Sequence, residues 1–280
     1  MADESQGVLY VVGTPIGNLE DLSARAQRTL ATVDLVAAED TRHTRGLLSN
    51  IGLKQTLIVY QQHNESRQTE RLIDVLAEGK SVALVSDAGT PLISDPGLTL
   101  VAAALDAGIE VVGIPGPSAL VTALSISGLP AERFIFEGFL PRRAAARRSH
   151  LETLRHEPRT MVFYEAVHRV VDTVADLEAI FGSDRRIALA RELTKLHESL
   201  ESGTLAQIAV RLGDDIPLKG EFVLVVAGAS EAAGGDVAEA TRVFEILHAE
   251  LPATSAAKLT AKITGISRNE VYRLTRACAD

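Results

Sequence analysis

Three glycine-rich segments, each following a short apolar run, are the strongest chemical signal in the chain. The first is Gly13-Thr14-Pro15-Ile16-Gly17, after Val8 to Val12. The second runs from Ser86 through Asp87-Ala88-Gly89-Thr90-Pro91-Leu92-Ile93-Ser94-Asp95-Pro96 to Gly97, after Ser81 to Ser86. The third is Pro115-Gly116-Pro117-Ser118-Ala119, after Ile109 to Ile114. None fits the dinucleotide or Walker-type phosphate fingerprints. Residues with little or no side chain let backbone groups approach a ligand closely, as an adenine ring and ribose require. Three such loops at successive strand ends predict one ligand crevice beyond the carboxyl edge of a sheet. Titratable side chains stand at comparable strand ends: Asp40, Arg42, His43, Asp87, Glu165, His168, Arg191, Glu192 and Lys195. They are candidates for moving protons or stabilising charge. Each has a structural alternative: Asp40 and Arg42 could cap the helix that follows, and Arg191 and Glu192 could form an ion pair. A single cysteine, Cys278, excludes an intrachain disulfide and any cysteine-cluster metal site, and no metal is expected.

The elements that must position these loops alternate. Strands are predicted at Val8 to Val12, Val33 to Ala38, Leu57 to Tyr60, Ser81 to Ser86 and Ile109 to Ile114. Helices are predicted at Ser23 to Thr32 and Ser66 to Glu78, with another opened near Pro96 and ended by Gly108. Continuous apolar strands alternating with helices imply an α/β fold with a mostly parallel sheet. The second half has a different rhythm. Its strands are Phe134 to Phe136, Thr160 to Tyr164, Ile187 to Ala190 and Glu221 to Ala227, and its helices Ala144 to His156, His168 to Phe181 and Thr204 to Leu212. The expected organisation is an N-terminal α/β domain over 1–118, a second α/β domain over 119–230, and a helical tail over 236–280. Ser230 to Gly235 reads as a linker. Helical patterns at Val237 to Glu250, Ala253 to Thr264 and Ser267 to Ala279 make the tail resemble a helix-turn-helix, with Ser267 and Glu270 as a capping box. A helical appendage packed on the body or on a dimer partner is the alternative.

Net charge is −9, with 46% hydrophobic and 23% charged residues, which suits a globular enzyme and disfavours nonspecific binding to naked nucleic acid. The acidic N-terminus does not read as a signal peptide, and the apolar stretch from Leu98 to Pro115 is broken by Asp106 and Glu110, so a cytoplasmic protein without a membrane partner is expected. The densest basic cluster is Arg142, Arg143, Arg147 and Arg148, spaced to fall on nearby helical turns. Arginine forks suit phosphate oxygens, although a charge run is more often a solvated face.

The segments VGTPIGNLEDLS, EDTRHTRGLL, SDAGTPLISDPG, IPGPSAL, FEGFLPR, VFYEAVHR, ARELTKLHE and GEFVLVVAG follow one another across nearly the whole chain. In that order they resemble the tetrapyrrole-methylase superfamily, and within it the ribosomal RNA small-subunit cytidine-2′-O-methyltransferases. The resemblance implies S-adenosylmethionine as cofactor, held in a cleft between two α/β domains, and a homodimer acting on the small ribosomal subunit or its rRNA. It assigns cofactor contacts to Ile16, Ala88, Gly89, Thr90, Ile93, Ser118, Ala119, Glu165 and Gly203. Where the wider family has Gly-Pro-Gly this chain reads Pro15-Ile16-Gly17, and Gly89-Thr90-Pro91 stands for Gly-Asp-Pro. Loss of that aspartate supports a change of substrate.

Methyl transfer to a ribose hydroxyl is an in-line displacement in which the hydroxyl loses its proton, so positioning and a nearby base are required. Asp40, Glu165 and Lys195 are the expected catalytic residues. Lys195 acts as a base only with a depressed pKa; otherwise it stabilises the developing alkoxide. Arg142, Arg143, Arg147 and Arg148 are the expected RNA contacts, with the acidic total pointing to an assembled subunit rather than free RNA, and no DNA partner. Two alternatives remain: a tetrapyrrole methylase, disfavoured by 4% aromatic content and the extra tail, and a non-catalytic RNA-binding assembly factor that retains the cleft.

Overall fold

The structure, a computed structural model, describes residues 7–229, 237–266 and 271. Two five-stranded sheets form two α/β layers. The first contains β1 (Val8–Val12), β2 (Leu35–Ala38), β3 (Leu57–Val59), β4 (Val82–Val85) and β5 (Glu110–Ile114), in the order β3-β2-β4-β1-β5. Every pairing in it is parallel. Helices α1 (Ala24–Thr32) and α2 (Thr41–Asn50) cover one face, where Ala26, Leu30, Leu47 and Leu48 pack on Val12, Val36 and Val85. Helices α3 (Glu65–Ala77) and α4 (Leu98–Asp106) cover the other, with Leu72, Leu76 and Leu100 against Leu9 and Leu84. Because both faces are covered, all four residues of β4 are buried, which explains its unbroken apolar run.

After α5 (Ala119–Ile126) the second sheet contains β6 (Phe134–Phe139), β7 (Thr160–Ala166), β8 (Arg186–Arg191), β9 (Ser199–Thr204) and β10 (Glu221–Val226), in the order β6-β7-β10-β8-β9. Only β6 and β7 run parallel; the other pairings are antiparallel. One face packs on α6 (Ala144–Thr153), α7 (Val170–Phe181) and α8 (Leu205–Arg211). The other face is covered by α5 and by Ile16 from the first glycine turn, which joins a core with Val162, Ala188 and Val225. The first domain thus inserts a loop residue into the second domain's core, and the two sheets meet around that contact.

The helix that Asp40 could cap is present as Thr41–Asn50, despite Gly46. Ser199–Thr204, by contrast, is an edge strand that went unread in the sequence because its polar composition hid it. In the tail, α9 (Val237–Glu250) and α10 (Ala253–Thr264) pack on each other through Ala240, Phe244, Ala256 and Ala257, joined by Ile266 and Val271. The helix expected at Ser267 to Ala279, with its capping box, and the linker at Ser230 to Gly235 lie largely or wholly outside the described residues. Among the described residues no helix is long and apolar enough to cross a membrane.

Candidate active site

The three glycine loops are joined backbone to backbone. Thr14 and Gly89 exchange two hydrogen bonds, Thr14 N–H to the Gly89 carbonyl at 2.8 Å and Gly89 N–H to the Thr14 carbonyl at 3.0 Å. Thr90 Oγ1 donates to the Pro117 carbonyl at 3.3 Å. Gly13 and Gly116 touch so closely that a Cβ on either would lie 2.8 Å from backbone atoms of the other. Gly89 sits at φ +83°, a conformation that disfavours any side chain. The second loop also holds Leu92 at φ 74° and Ser94 at φ 69°, and a further pair of non-glycine residues with positive φ, Glu192 and Thr194, follows β8. Strain of this kind costs about 1–3 kcal/mol per residue and gathers at functional sites.

A cleft of about 420 Å³ opens where these loops face the ends of β7 and β10. That volume suits a nucleotide-sized ligand. Ile16, Ala88–Thr90, Ile93, Ser118 and Ala119 line it from one side; Phe139, Tyr164, Glu165, Phe222 and Val223 line it from the other. The Tyr164 hydroxyl accepts the Leu120 N–H at 3.1 Å, tying β7 to the first turn of α5, and burial pushes the Tyr164 pKa up.

Three carboxylates, Glu39, Asp87 and Asp95, also line the cleft. Burial raises the pKa of Glu39, and the nearby charges of Asp95 and Asp87 raise it further; burial, with Asp87, raises that of Asp95. Asp87 Oδ1 accepts the Asp40 N–H at 2.9 Å. Among the described residues no group of histidine, cysteine, aspartate or glutamate is arranged to hold a metal ion.

Of the residues expected from the sequence to meet a cofactor, all line this cleft except Gly203. Gly203 lies on β9, two strands beyond β10, against Gln207 of the capping box that starts α8. The expected catalytic residues are placed differently. Asp40 turns back to cap α2: its Oδ1 accepts the Arg42 N–H at 2.8 Å and its Oδ2 pairs with the Arg42 guanidinium at 2.6 Å. That partner drives the Asp40 pKa far down, the opposite of what a base requires. Glu165 borders the cleft, but its side chain is fully buried and committed elsewhere. Oε1 accepts the Ala166 N–H at 2.8 Å and lies 3.3 Å from Arg169 Nε, while Oε2 accepts from Thr173 Oγ1 at 2.6 Å.

Lys195 packs beneath Gly17 and bonds Glu192 at 2.8 Å and Glu221 at 2.9 Å. Burial opposes its charge, but those two carboxylates outweigh burial and raise its pKa, so it is a cation and not a base. Glu192 pairs with Lys195 rather than with Arg191, whose Nη1 donates to the Lys219 carbonyl.

The arginine cluster divides. Arg142, Arg143 and Arg148 are exposed, whereas Arg147 is buried and bonds Asp176 of α7 at 2.7 Å. Arg147 is therefore a helix-to-helix tie and is not exposed for the phosphate contact expected of it. Glu39 and Asp95, not selected from the sequence, line the cleft alongside Asp87, Glu165 and Glu221. The signal that could have found Glu39 is strand alternation: it adjoins Asp40 at the end of β2, and neighbouring side chains point to opposite sides.

Residues 8–209 match the family model described as tetrapyrrole (corrin/porphyrin) methylases, and residues 234–276 match that of the RsmI C-terminal HTH domain. The chain is 53% identical over 267 residues to a Xylella fastidiosa protein named ribosomal RNA small subunit methyltransferase I, covering 95% of this chain and 98% of that one. A Pseudomonas aeruginosa protein of the same name is 51% identical, with 96% of each chain covered. Among solved structures, uroporphyrin-III C-methyl transferase from Thermus thermophilus, complexed with S-adenyl homocysteine, superposes with a TM-score of 0.54 at 20% identity, over 79% of this chain and 97% of that one.

Proposed function

The chain belongs to the tetrapyrrole methylase family, and from that premise we propose that it is a methyltransferase that uses S-adenosylmethionine to methylate a cytidine ribose 2′-oxygen of small-subunit ribosomal RNA. The observation that carries the reading is the cleft itself, in which glycine loops too close for a Cβ are joined backbone to backbone opposite the mixed sheet. These loops fit the cofactor: Ala88, Gly89, Thr90, Ser118 and Ala119 offer main-chain groups, and Ile16 and Val223 offer apolar walls. The carboxylates of Glu39 and Asp95 suit a ligand bearing cationic groups. When bound, the cofactor supplies an electrophilic methyl group on a sulfonium centre.

The chain's own residues then orient the ribose hydroxyl and receive its proton. Glu39 takes that role in place of Asp40 and Glu165: it faces the cleft, and burial among like charges makes its carboxylate a better proton acceptor than an ordinary one. Lys195, held charged by Glu192 and by Glu221 of the cleft lining, acts as a fixed cation. Arg142, Arg143 and Arg148 remain the phosphate-contacting surface of the proposal, and the helical tail is a second RNA-facing module. A net charge of −9 points to an assembled subunit as substrate. The protein is proposed to act in the cytoplasm as a homodimer, for which the large apolar side chains Leu98, Leu105, Val121 and Ile126 stand exposed on α4 and α5; sedimentation tests that state.

The decisive experiment incubates small ribosomal subunits lacking the modification with the purified protein and methyl-labelled cofactor. One labelled cytidine that resists alkaline cleavage is expected, because a methylated 2′-oxygen cannot attack the adjacent phosphate. Label on a base, with the backbone still cleavable, would overturn the reading.

A further inference from the structure

One aromatic ring at the cleft is placed differently from its neighbours. Phe136, Tyr164 and Phe139 form an edge-to-face series, with centroids 4.9 Å apart for Phe136 and Tyr164 and 5.6 Å for Phe139 and Tyr164. Phe136 and Tyr164 are partly buried, but Phe139 lines the cleft and is 56% exposed. A lone exposed apolar side chain would mean little. This one is held out by a local device. The ladder between β6 and β7 is in register at Phe136 and Val162, then shifts by one residue so that Gly138 faces Phe163 and Phe139 faces Tyr164. Gly138, at φ +61°, makes that bulge, and a Cβ on it would lie 3.1 Å from Ser94 Oγ in the second glycine loop. Without the bulge, alternation would separate Phe136 and Phe139 onto opposite faces; with it, both rings meet Tyr164. Bulges beside active sites re-aim side chains in this way.

The chain beyond the ring is fixed as well. Arg169 Nη2 donates to the carbonyls of Leu140 at 2.8 Å and Pro141 at 3.1 Å, and the same guanidinium is paired with buried Glu165. The next two residues are the exposed Arg142 and Arg143. A rigid segment therefore presents a bare aromatic face at the cleft and two guanidinium groups directly after it. This is the combination by which single-stranded nucleic acid is held, with a base on a ring and phosphates on neighbouring cations. Single-stranded RNA recognition commonly splays bases out of their stack, and an unstacked base gains from an aromatic partner.

We propose that Phe139 is a stacking platform for a nucleobase of the substrate RNA strand, and that the bulge at Gly138 and the Glu165–Arg169 clamp exist to hold that ring at the mouth of the cleft. This rests on the reading of the chain as an RNA methyltransferase. It also gives Glu165 a positioning role instead of a catalytic one.

The chain contains no tryptophan, so Phe139→Trp supplies both a larger stacking surface and a unique fluorophore. Phe139→Ala should raise KM for the subunit roughly 5- to 150-fold, the range lost per stacked base. Phe139→Trp should restore KM, and Phe139→Leu, apolar but ringless, should not. The tryptophan emission of Phe139→Trp should be quenched when an oligonucleotide matching the methylated strand is added. Affinity for S-adenosylhomocysteine, measured by calorimetry, should stay within about twofold in all three variants.

Full rescue by leucine would overturn the proposal. So would a tenfold loss of S-adenosylhomocysteine affinity in Phe139→Ala, which would put the cofactor's adenine on the ring. Emission that responds to dilution of the protein but not to RNA would assign the ring to a contact between copies of the chain. Absence of methyl transfer by the unaltered protein would instead refute the function proposed above, whereas the quenching experiment reports on the ring alone.

Discussion

Gly116→Ala should disable the cofactor cleft without adding any bulk to it. Gly116 has an ordinary backbone conformation, so alanine brings no torsional strain. Its Cβ, however, would lie 2.8 Å from both the carbonyl carbon and oxygen of Gly13. Ordinary contacts to a Cβ begin near 3.4 Å, and the obstacle is backbone, so the first and third loops must part by roughly half an ångström. Gly13 cannot yield freely, because its neighbour Thr14 is doubly bonded to Gly89, and Gly89 is fixed by its own left-handed conformation. The displacement therefore spreads to the second loop. A misplacement of about 1 Å costs on the order of 100-fold in a preorganised site, so half of it should cost about tenfold, or about 1.4 kcal/mol. Overpacking should also remove about 1–3 kcal/mol of stability. The assay is calorimetric titration with S-adenosylhomocysteine alongside thermal unfolding. Gly113→Ala is the control: it lies three residues upstream, where a Cβ would meet nothing within 4 Å. If Gly116→Ala binds as well as the unaltered chain, or Gly113→Ala does equal damage, the close approach of the loops is not what shapes the site.

Three further outcomes are expected. Arg147→Ala should cost about 3–5 kcal/mol in urea unfolding, because it strips a buried charge pair, while Arg148→Ala, whose side chain is 59% exposed, should cost less than about 1 kcal/mol; equal losses would contradict the division of the cluster. Replacing Arg142 and Arg143 together should flatten the salt dependence of RNA binding by about 0.7 log units per lost contact, and an unchanged slope would move the phosphate path elsewhere. Glu39 and Asp95 bind protons more tightly in the folded protein than in the unfolded chain, as burial and then repulsion from neighbouring aspartates dictate. Their contribution to stability is complete below the ordinary values of 4.5 and 3.8 and is lost as pH rises through the raised folded values. Glu39→Gln combined with Asp95→Asn should therefore raise Tm at pH 8 and leave it nearly unchanged at pH 3; an equal gain at both would show that titration is not the cause.

The cleft's glycine loops were legible in the sequence because their requirement is local. A backbone that must touch another backbone can carry no side chain, and that demand is written directly as Gly13 and Gly116, while Gly89 answers to its positive φ. The parallel sheet was legible for a similar reason, since β4 is covered on both faces and reads as four apolar residues without interruption. Its counterpart β9 was not, because an edge strand with a half-solvated face carries Ser199, Glu201 and Ser202, which look like a loop. Side-chain direction was the least legible property. Asp40 and Glu39 are adjacent and chemically alike, and only the geometry at the end of β2 decides that one caps α2 while the other meets the cleft.

The same limit explains Arg147, Glu165 and Phe139 together. Spacing on α6 groups Arg147 with Arg143 and Arg148, but the partner that buries it, Asp176, comes from α7, and its pairing is a property of packing between helices. Glu165 sits where a ligand contact is expected, yet its carboxylate is claimed by Arg169 and Thr173, which start the helix behind the sheet. Phe139 lies beyond the strand expected at Phe134 to Phe136, and only the one-residue shift at Gly138 brings it onto the face that carries Phe136 and Tyr164. In each case direction is set by a register or a partner many residues away, which spacing along the chain does not reveal. The three corrections converge on one stretch of chain. Glu165 holds Arg169, Arg169 holds Leu140 and Pro141, and that turn joins the bulged aromatic end of β6 to the exposed arginines and to the helix anchored by Arg147. The second domain is thus built to keep this rim rigid, as expected where a flexible RNA strand must be met by a fixed surface for in-line transfer.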